Sequence, residues 1–172
     1  MKTESQRAAI DRWKSGTNLA ETQPVEAIEE FTKAIELNPS WLLPYFWRAM
    51  MHSDLKQYER AESDFSTFIQ RYDGERDELL AEAHAGRALV HRGKGDFQQA
   101  IADYTQELDI NPKSAQGHLG RSIVYDELGE SELACADFDQ SLQLDPTIAE
   151  RVENRPAGWK RYREARGSTG TG

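Results

Sequence analysis

Two histidines at helical spacing are the residues of this chain best suited to bind a metal ion. His84 and His91 lie seven residues apart, so a helix would place both imidazoles on one face. A zinc site normally needs three or four suitable ligands close together, and no further ligand stands out by its spacing. His84 and His118 occupy the same place in successive units of an internal repeat, and His52 and His91 share another. We therefore interpret all four histidines as packing residues and expect neither a metal nor a cofactor.

Two further features suggest chemistry only at first sight. The Gly-Lys-Gly-Asp at residues 93–96 lacks the full G-x-x-x-x-G-K-[ST] pattern and the preceding strand of a phosphate-binding loop. Cys135 is the single cysteine, and we expect a buried, inert thiol. The chain also contains no G-x-S-x-G and no H-E-x-x-H. These patterns predict a protein that is not an enzyme and has no catalytic residues.

A basic residue is followed sixteen positions later by an acidic one at four places. The pairs are Lys14 with Glu30, Arg48 with Asp64, Arg87 with Asp103, and Arg121 with Asp137. Antiparallel helices joined by a short turn would bring each pair together, where arginine can grip a carboxylate with two hydrogen bonds. Anion binding by an arginine row is the alternative. We favour structural ion pairs, because a buried charge without its partner is costly.

The elements that position these residues follow an internal repeat. Its mark is an alanine, an aromatic residue four positions later and a proline further on, at Ala27, Phe31, Pro39; Ala61, Phe65, Asp73; Ala100, Tyr104, Pro112; and Ala134, Phe138, Pro146. The alanines fall 34, 39 and 34 residues apart. This pattern resembles that of the tetratricopeptide repeats over residues 8–148. The resemblance implies an all-α fold, a right-handed superhelix of four helix pairs with a C-terminal capping helix.

The repeat also predicts the boundaries of the units. We expect an N-terminal extension at 1–7, followed by units at 8–41, 42–75, 81–114 and 115–148. The five extra residues, 76–80, should extend the first helix of the third unit backward through Leu79 and Leu80. Residues 149–166 would form a basic amphipathic capping helix, and 167–172 a flexible tail.

The resemblance further implies a binding groove on the concave face, lined by the first helix of each unit. Carried onto this sequence, the groove would be formed by Arg12, Phe46, Met50, Ala85, Leu89, Leu119 and Ile123. Some family members grip an acidic C-terminus with lysine, asparagine and arginine. The corresponding places here retain one cation, Arg12, and include Glu82. We therefore expect an apolar groove and no carboxylate clamp.

Composition and charge limit the classes of partner that this chain is expected to bind. The net charge is −9, and the region before residue 155 carries −13, because residues 155–166 contain five basic residues and one acid. Such an acidic body repels nucleic-acid phosphates. The longest apolar-rich stretch, 41–51, is far shorter than the ~20 residues that span a bilayer. With no secretory signal pattern and one cysteine, we expect a cytoplasmic protein.

These observations predict an adaptor or scaffold that binds an apolar peptide or helix of a partner protein in the concave groove. A small cytoplasmic chaperone for apolar client segments is one alternative. The other is a structural subunit whose groove is filled within a homo-oligomer, and the capping segment could equally cover the groove's apolar residues.

Overall fold

A computed structural model describes residues 2–74, 77–151, 156 and 159 of the chain. Throughout these residues the regular structure is α-helical. The helices are α1 (Glu4–Leu19), α2 (Pro24–Leu37), α3 (Leu43–Asp54), α4 (Tyr58–Arg71), α5 (Asp77–Lys94), α6 (Phe97–Ile110), α7 (Ala115–Glu127), α8 (Ser131–Leu144) and α9 (Ile148–Arg151). The predicted all-α repeat fold is confirmed.

Local sequence explains where these helices begin and end. Thr3 caps α1, since its hydroxyl accepts from the backbone N–H of Gln6 while the Gln6 side chain accepts from the Thr3 N–H. Pro24 lies in the first turn of α2, where a missing N–H costs nothing. The helices α2 and α6 stop at asparagines that precede Pro39 and Pro112. Helix α1 begins at Glu4, so it includes the second half of the predicted 1–7 extension and continues into the first unit.

Successive helices pack as four antiparallel pairs: α1 with α2, α3 with α4, α5 with α6, and α7 with α8. The second helix of each pair also contacts the first helix of the next. The first helices of later pairs touch each other directly, α3 with α5 and α5 with α7, and no comparable contact joins second helices in the described part of the chain. The array therefore bends toward its first helices, whose outer faces line the concave side of a right-handed superhelix.

Alternating small and aromatic residues fill the space between helices. The repeat alanines Ala27, Ala61, Ala100 and Ala134 are completely buried. The aromatic of one pair also packs on the next first helix. A side chain added at Gly86 would lie 2.4 Å from the Phe65 ring, and one at Gly120 would lie 2.4 Å from the Tyr104 ring. Glycine at these two positions allows the close approach that sets the repeat spacing.

The five residues inserted into the repeat lengthen one helix. Helix α5 has 18 residues, against 12 in α3 and 13 in α7, and it includes Leu79 and Leu80. Leu79 packs against the core around Phe68. The extra turns therefore add apolar contacts to the second and third units.

Beyond α8, the described residues give only the start of the C-terminal region. Ile148 is buried, and the Trp159 ring meets Phe138 edge-on with 5.5 Å between ring centroids. The remainder of the predicted capping helix at 149–166, and the predicted tail at 167–172, lie outside the described residues. Among the described helices, none combines the length and apolar character that crossing a membrane requires.

Candidate functional site

Three arginines on the first helices grip aspartates of their own pairs. Arg48 donates from Nε to Asp64 Oδ2 at 2.7 Å and from Nη2 to Asp64 Oδ1 at 2.8 Å. Arg87 contacts Asp103 at 2.8 and 2.7 Å, and Arg121 contacts Asp137 at 2.6 and 2.9 Å, through the same atoms. The aspartates are buried. Such two-pronged, charge-assisted contacts fix the orientation of both side chains.

Each of these arginines also reaches back to the preceding unit. Nη1 of Arg48 donates to Thr32, that of Arg87 to Ser66, and that of Arg121 to Thr105, at 3.0 to 3.1 Å. Each guanidinium thus joins three helices. The sequence analysis did not predict these hydroxyl partners, although their regular spacing from the arginines could have revealed them. They precede their arginines by 16, 21 and 16 residues, and the middle value is longer by the five inserted residues.

The pairing predicted for Lys14 with Glu30 is wrong. Glu30 accepts instead from Arg12 Nη1 at 3.1 Å and from Lys33 Nζ at 2.7 Å. Lys33 lies one turn away on the same helix, so its ammonium reaches the carboxylate without crossing between helices. A lysine at position 14 also lacks the planar fork with which the three arginines hold their partners. The first unit therefore lacks the two-pronged contact.

The surroundings of Arg48 do not suit an anion. It lines an open pocket of about 430 Å³ between α2, α3 and α4, together with Glu59, Arg60 and Asp64. Its guanidinium is already neutralised by the buried Asp64 carboxylate, and the charges of Glu59 and Arg60 on the wall cancel, so the pocket has no surplus positive charge. The observed geometry is that of structural ion pairs.

The repeat histidines join this polar layer. Nδ1 of His84 lies 2.9 Å from Asp103 Oδ1, and Nε2 of His91 lies 3.6 Å from Asp103 Oδ2. A carboxylate only accepts hydrogen bonds, so Nδ1 of His84 carries a proton. Burial favours the neutral acid, but the hydrogen bonds from His84 and Arg87 outweigh it and hold the pKa of Asp103 below its usual value. Across the described residues, no group of three potential ligands could hold a metal ion.

The concave face presents an apolar stripe. Residues three, four or seven positions apart share one face of a helix. On α5 this places Ala85 beside Leu89, and on α7 Leu119 beside Ile123. Leu89 is 51% exposed, while Met50, Ala85, Leu119 and Ile123 are partly exposed. The groove therefore offers apolar atoms to solvent along three successive first helices.

Two residues predicted to line the groove, Phe46 and Arg12, instead contact other residues of the chain. Phe46 is only 5% exposed and contacts Phe65 and Phe68, with ring centroids 6.0 and 5.6 Å away. Its ring is large enough to tuck under α3 toward α4, so it belongs to the core, and its prediction as a groove residue is wrong. Arg12 is half exposed, but its guanidinium is engaged with Glu30. The accessible stripe begins at Met50.

A pocket of about 360 Å³ opens beside Leu89, at the end of the stripe where α5 ends. Tyr58, Leu89 and Phe97 supply its apolar wall. Arg92 and Glu127 lie on its edge and join α5 to α7 through hydrogen bonds of 2.7 to 3.1 Å. Their contact raises the pKa of Arg92. The pocket is large enough for an apolar side chain and has a charged edge to orient it.

Known proteins share this architecture. Residues 48–110 and 85–147 each match the family model described as tetratricopeptide repeat. A comparison with curated proteins finds no match.

Among solved structures, MamA from Desulfovibrio magneticus RS-1 aligns with a TM-score of 0.74 at 16% identity, over 81% of this chain and 76% of that one. The first repeat domain of Spaghetti (RPAP3), bound to an HSP90 peptide, gives 0.66 at 20% identity, over 72% and 95%. The second repeat domain of human RPAP3, in complex with an HSP70 peptide, gives 0.63 at 26%, over 70% and 97%. Because the family model covers more than half of the sequence, the chain belongs to the tetratricopeptide repeat family.

Proposed function

We propose that this protein is an adaptor that binds an apolar helix or extended segment of a partner protein along the concave stripe. The observation that carries the proposal is the half-exposed Leu89, which lies between the partly exposed Met50 and Ile123 and beside a pocket of about 360 Å³. Clustered exposed apolar side chains at the centre of a concave surface commonly mark a protein interaction site.

The related structures support binding of a protein segment but differ in the chemistry of the groove. The two RPAP3 domains hold peptides that end in Glu-Glu-Val-Asp. In this chain Arg12 is occupied by Glu30, and Glu82 is an exposed acid. An acidic C-terminus would therefore meet repulsion where it needs cations. A segment held by apolar contacts fits better.

The test measures binding of a fluorescent amphipathic helical peptide, with leucines along one face, by anisotropy. Leu89→Glu places a charge in the middle of the stripe and should weaken binding at least tenfold, because the partner's apolar face would have to bury it. The control is Leu133→Glu, since Leu133 is 49% exposed on α8, a second helix outside the groove. The control should bind as the unchanged protein does.

Equal weakening by both variants, or none by either, would show that the stripe is not the binding surface. Weak binding of many unrelated apolar peptides would favour a chaperone. Absence of peptide binding together with concentration-dependent self-association would favour a structural subunit.

A further inference from the structure

We propose that the partner segment carries lysines or arginines beside its apolar face, because the apolar stripe is bordered by acids. This inference rests on the proposed function and specifies the partner of the same groove. The occupant is thus a basic amphipathic segment of another protein.

The first border lies on α5. Glu82 precedes Leu89 by seven residues and Glu78 precedes it by eleven, which are two and three helical turns, so both project from the face that carries Ala85 and Leu89. Both side chains are exposed. A segment lying on Leu89 would extend past these two carboxylates.

The second border lies at the other end of the first helices. Asp54 follows Met50 by four residues on α3 and is exposed. The two cations that α5 contributes at this end are already paired, Arg92 with Glu127 and Lys94 with Glu62 and Asp96. Within the described residues, no cation lies within ion-pair distance of Asp54, Glu78 or Glu82. Counting the described residues, the stripe therefore has unpaired acids at both of its ends.

Charge at a groove border acts mainly on the choice of partner and on the rate of encounter. The region before residue 155, with its charge of −13, would add to this field and attract basic segments over a longer range at low salt. An apolar peptide with acidic flanks would be excluded by the same field. Charge complementarity thus selects among apolar segments that would otherwise bind alike.

The test uses the full chain and three 18-residue helical peptides with the same leucine face, in which the flanking positions are all Lys, all Gln or all Glu. Affinities are measured by anisotropy at 50 and 500 mM NaCl. We expect the Lys peptide to bind most tightly and the Glu peptide most weakly, with a spread that shrinks at high salt. The double variant Glu78→Lys/Glu82→Lys should weaken the Lys peptide about tenfold, and more than it affects the Gln peptide.

The matched control is Glu26→Lys/Glu29→Lys, which makes the same change of charge on the exposed side of α2, a second helix. Weakening by the control equal to that by the groove variant would assign the preference to net charge and overturn the inference. Equal binding of Lys and Gln peptides, still lost in Leu89→Glu, would overturn the inference and leave the proposed function standing. Failure of every peptide to bind through Leu89 would instead remove the proposed function.

A last variant tests whether the chain's own basic C-terminal residues occupy the groove. The full-length variant Lys160→Gln/Arg161→Gln/Arg163→Gln should bind the Lys peptide as the unchanged protein does. Binding that becomes measurable only in this variant would assign the groove to the chain's own C-terminal segment and overturn the proposal of a separate partner.

Discussion

At the scale of single residues, each arginine of the layer joins the two helices of its own unit to the unit before it. Arg87 bonds to Asp103 within its own unit and to Ser66 in the preceding one. The Asp103 carboxylate is buried, and His84 also contacts it. Removing the guanidinium would leave a buried acid with histidine as its remaining hydrogen-bond donor. Such a loss is far more costly than the loss of an exposed pair.

We predict that Arg87→Met lowers the free energy of unfolding by about 3 kcal/mol, because it strands the buried Asp103 carboxylate. Arg92→Met is the control on the same helix, since the Arg92–Glu127 pair is about one-third exposed on both sides. It should cost less than about 1 kcal/mol. Urea unfolding followed by circular dichroism measures both. Equal losses in the two variants would contradict a structural role for the arginine layer.

At the scale of helices, periodicity in the sequence predicts where the helix pairs lie. It does not predict which contacts an individual side chain makes, because these depend on the side chain's size and its neighbours. Alanine and aromatic spacing locates the helix pairs, because small residues recur wherever two helices approach closely. Phe46 has the right spacing for the groove, yet its ring turns into the core. Lys14 has the right spacing for Glu30, yet Arg12 and Lys33 reach that carboxylate. Spacing fixes a face of a helix, whereas competition among neighbouring side chains decides the contact.

Glu107 is another contact between helices that spacing does not reveal. Its buried carboxyl group packs on Gly117 so closely that any Cβ there would overlap Oε2. Burial raises the pKa of Glu107, and a hydrogen bond from Ser114 opposes this only in part. The folded protein therefore holds the proton of Glu107 more tightly than the unfolded chain does. The contribution of Glu107 to the free energy of unfolding must therefore decrease as the pH rises through the pKa that its carboxyl group has in the folded protein.

We predict that Glu107→Gln stabilises the protein at pH 8, where the unchanged chain must bury a charged carboxylate. The carboxyl group of the folded, unchanged protein becomes neutral as the pH falls through its raised pKa, which lies above the ordinary glutamate value of 4.5. The stability difference between the variant and the unchanged protein should therefore shrink over this pH range. Unfolding free energies of both proteins from pH 8 to pH 4.5 measure this difference. An advantage that does not change with pH would show that burial of charge is not its cause.

At the scale of the whole molecule, stability passes from unit to unit through nearest neighbours. The described helix pairs contact only adjacent pairs, and the arginine bridges follow the same path. The first unit is the weakest part of this chain of contacts. Among the described residues it contacts the second unit alone, and its Arg12–Glu30 pair involves an arginine that is half exposed. In such arrays, local opening proceeds from the ends.

We therefore predict graded protection in native-state hydrogen exchange, with α1 exchanging fastest and α4, α5 and α6 slowest, because the central helices open only after an outer unit has separated. Arg121→Met should speed exchange in α7 and α8, which its guanidinium joins to α6 through Thr105, and should leave α1 and α2 nearly unchanged. Mass spectrometry of peptides from each helix measures both effects. Uniform protection in the unchanged protein, or an equal rise in exchange at α1 and α8 in the variant, would mean that the four units open as one body and that the bridges do not transmit stability stepwise.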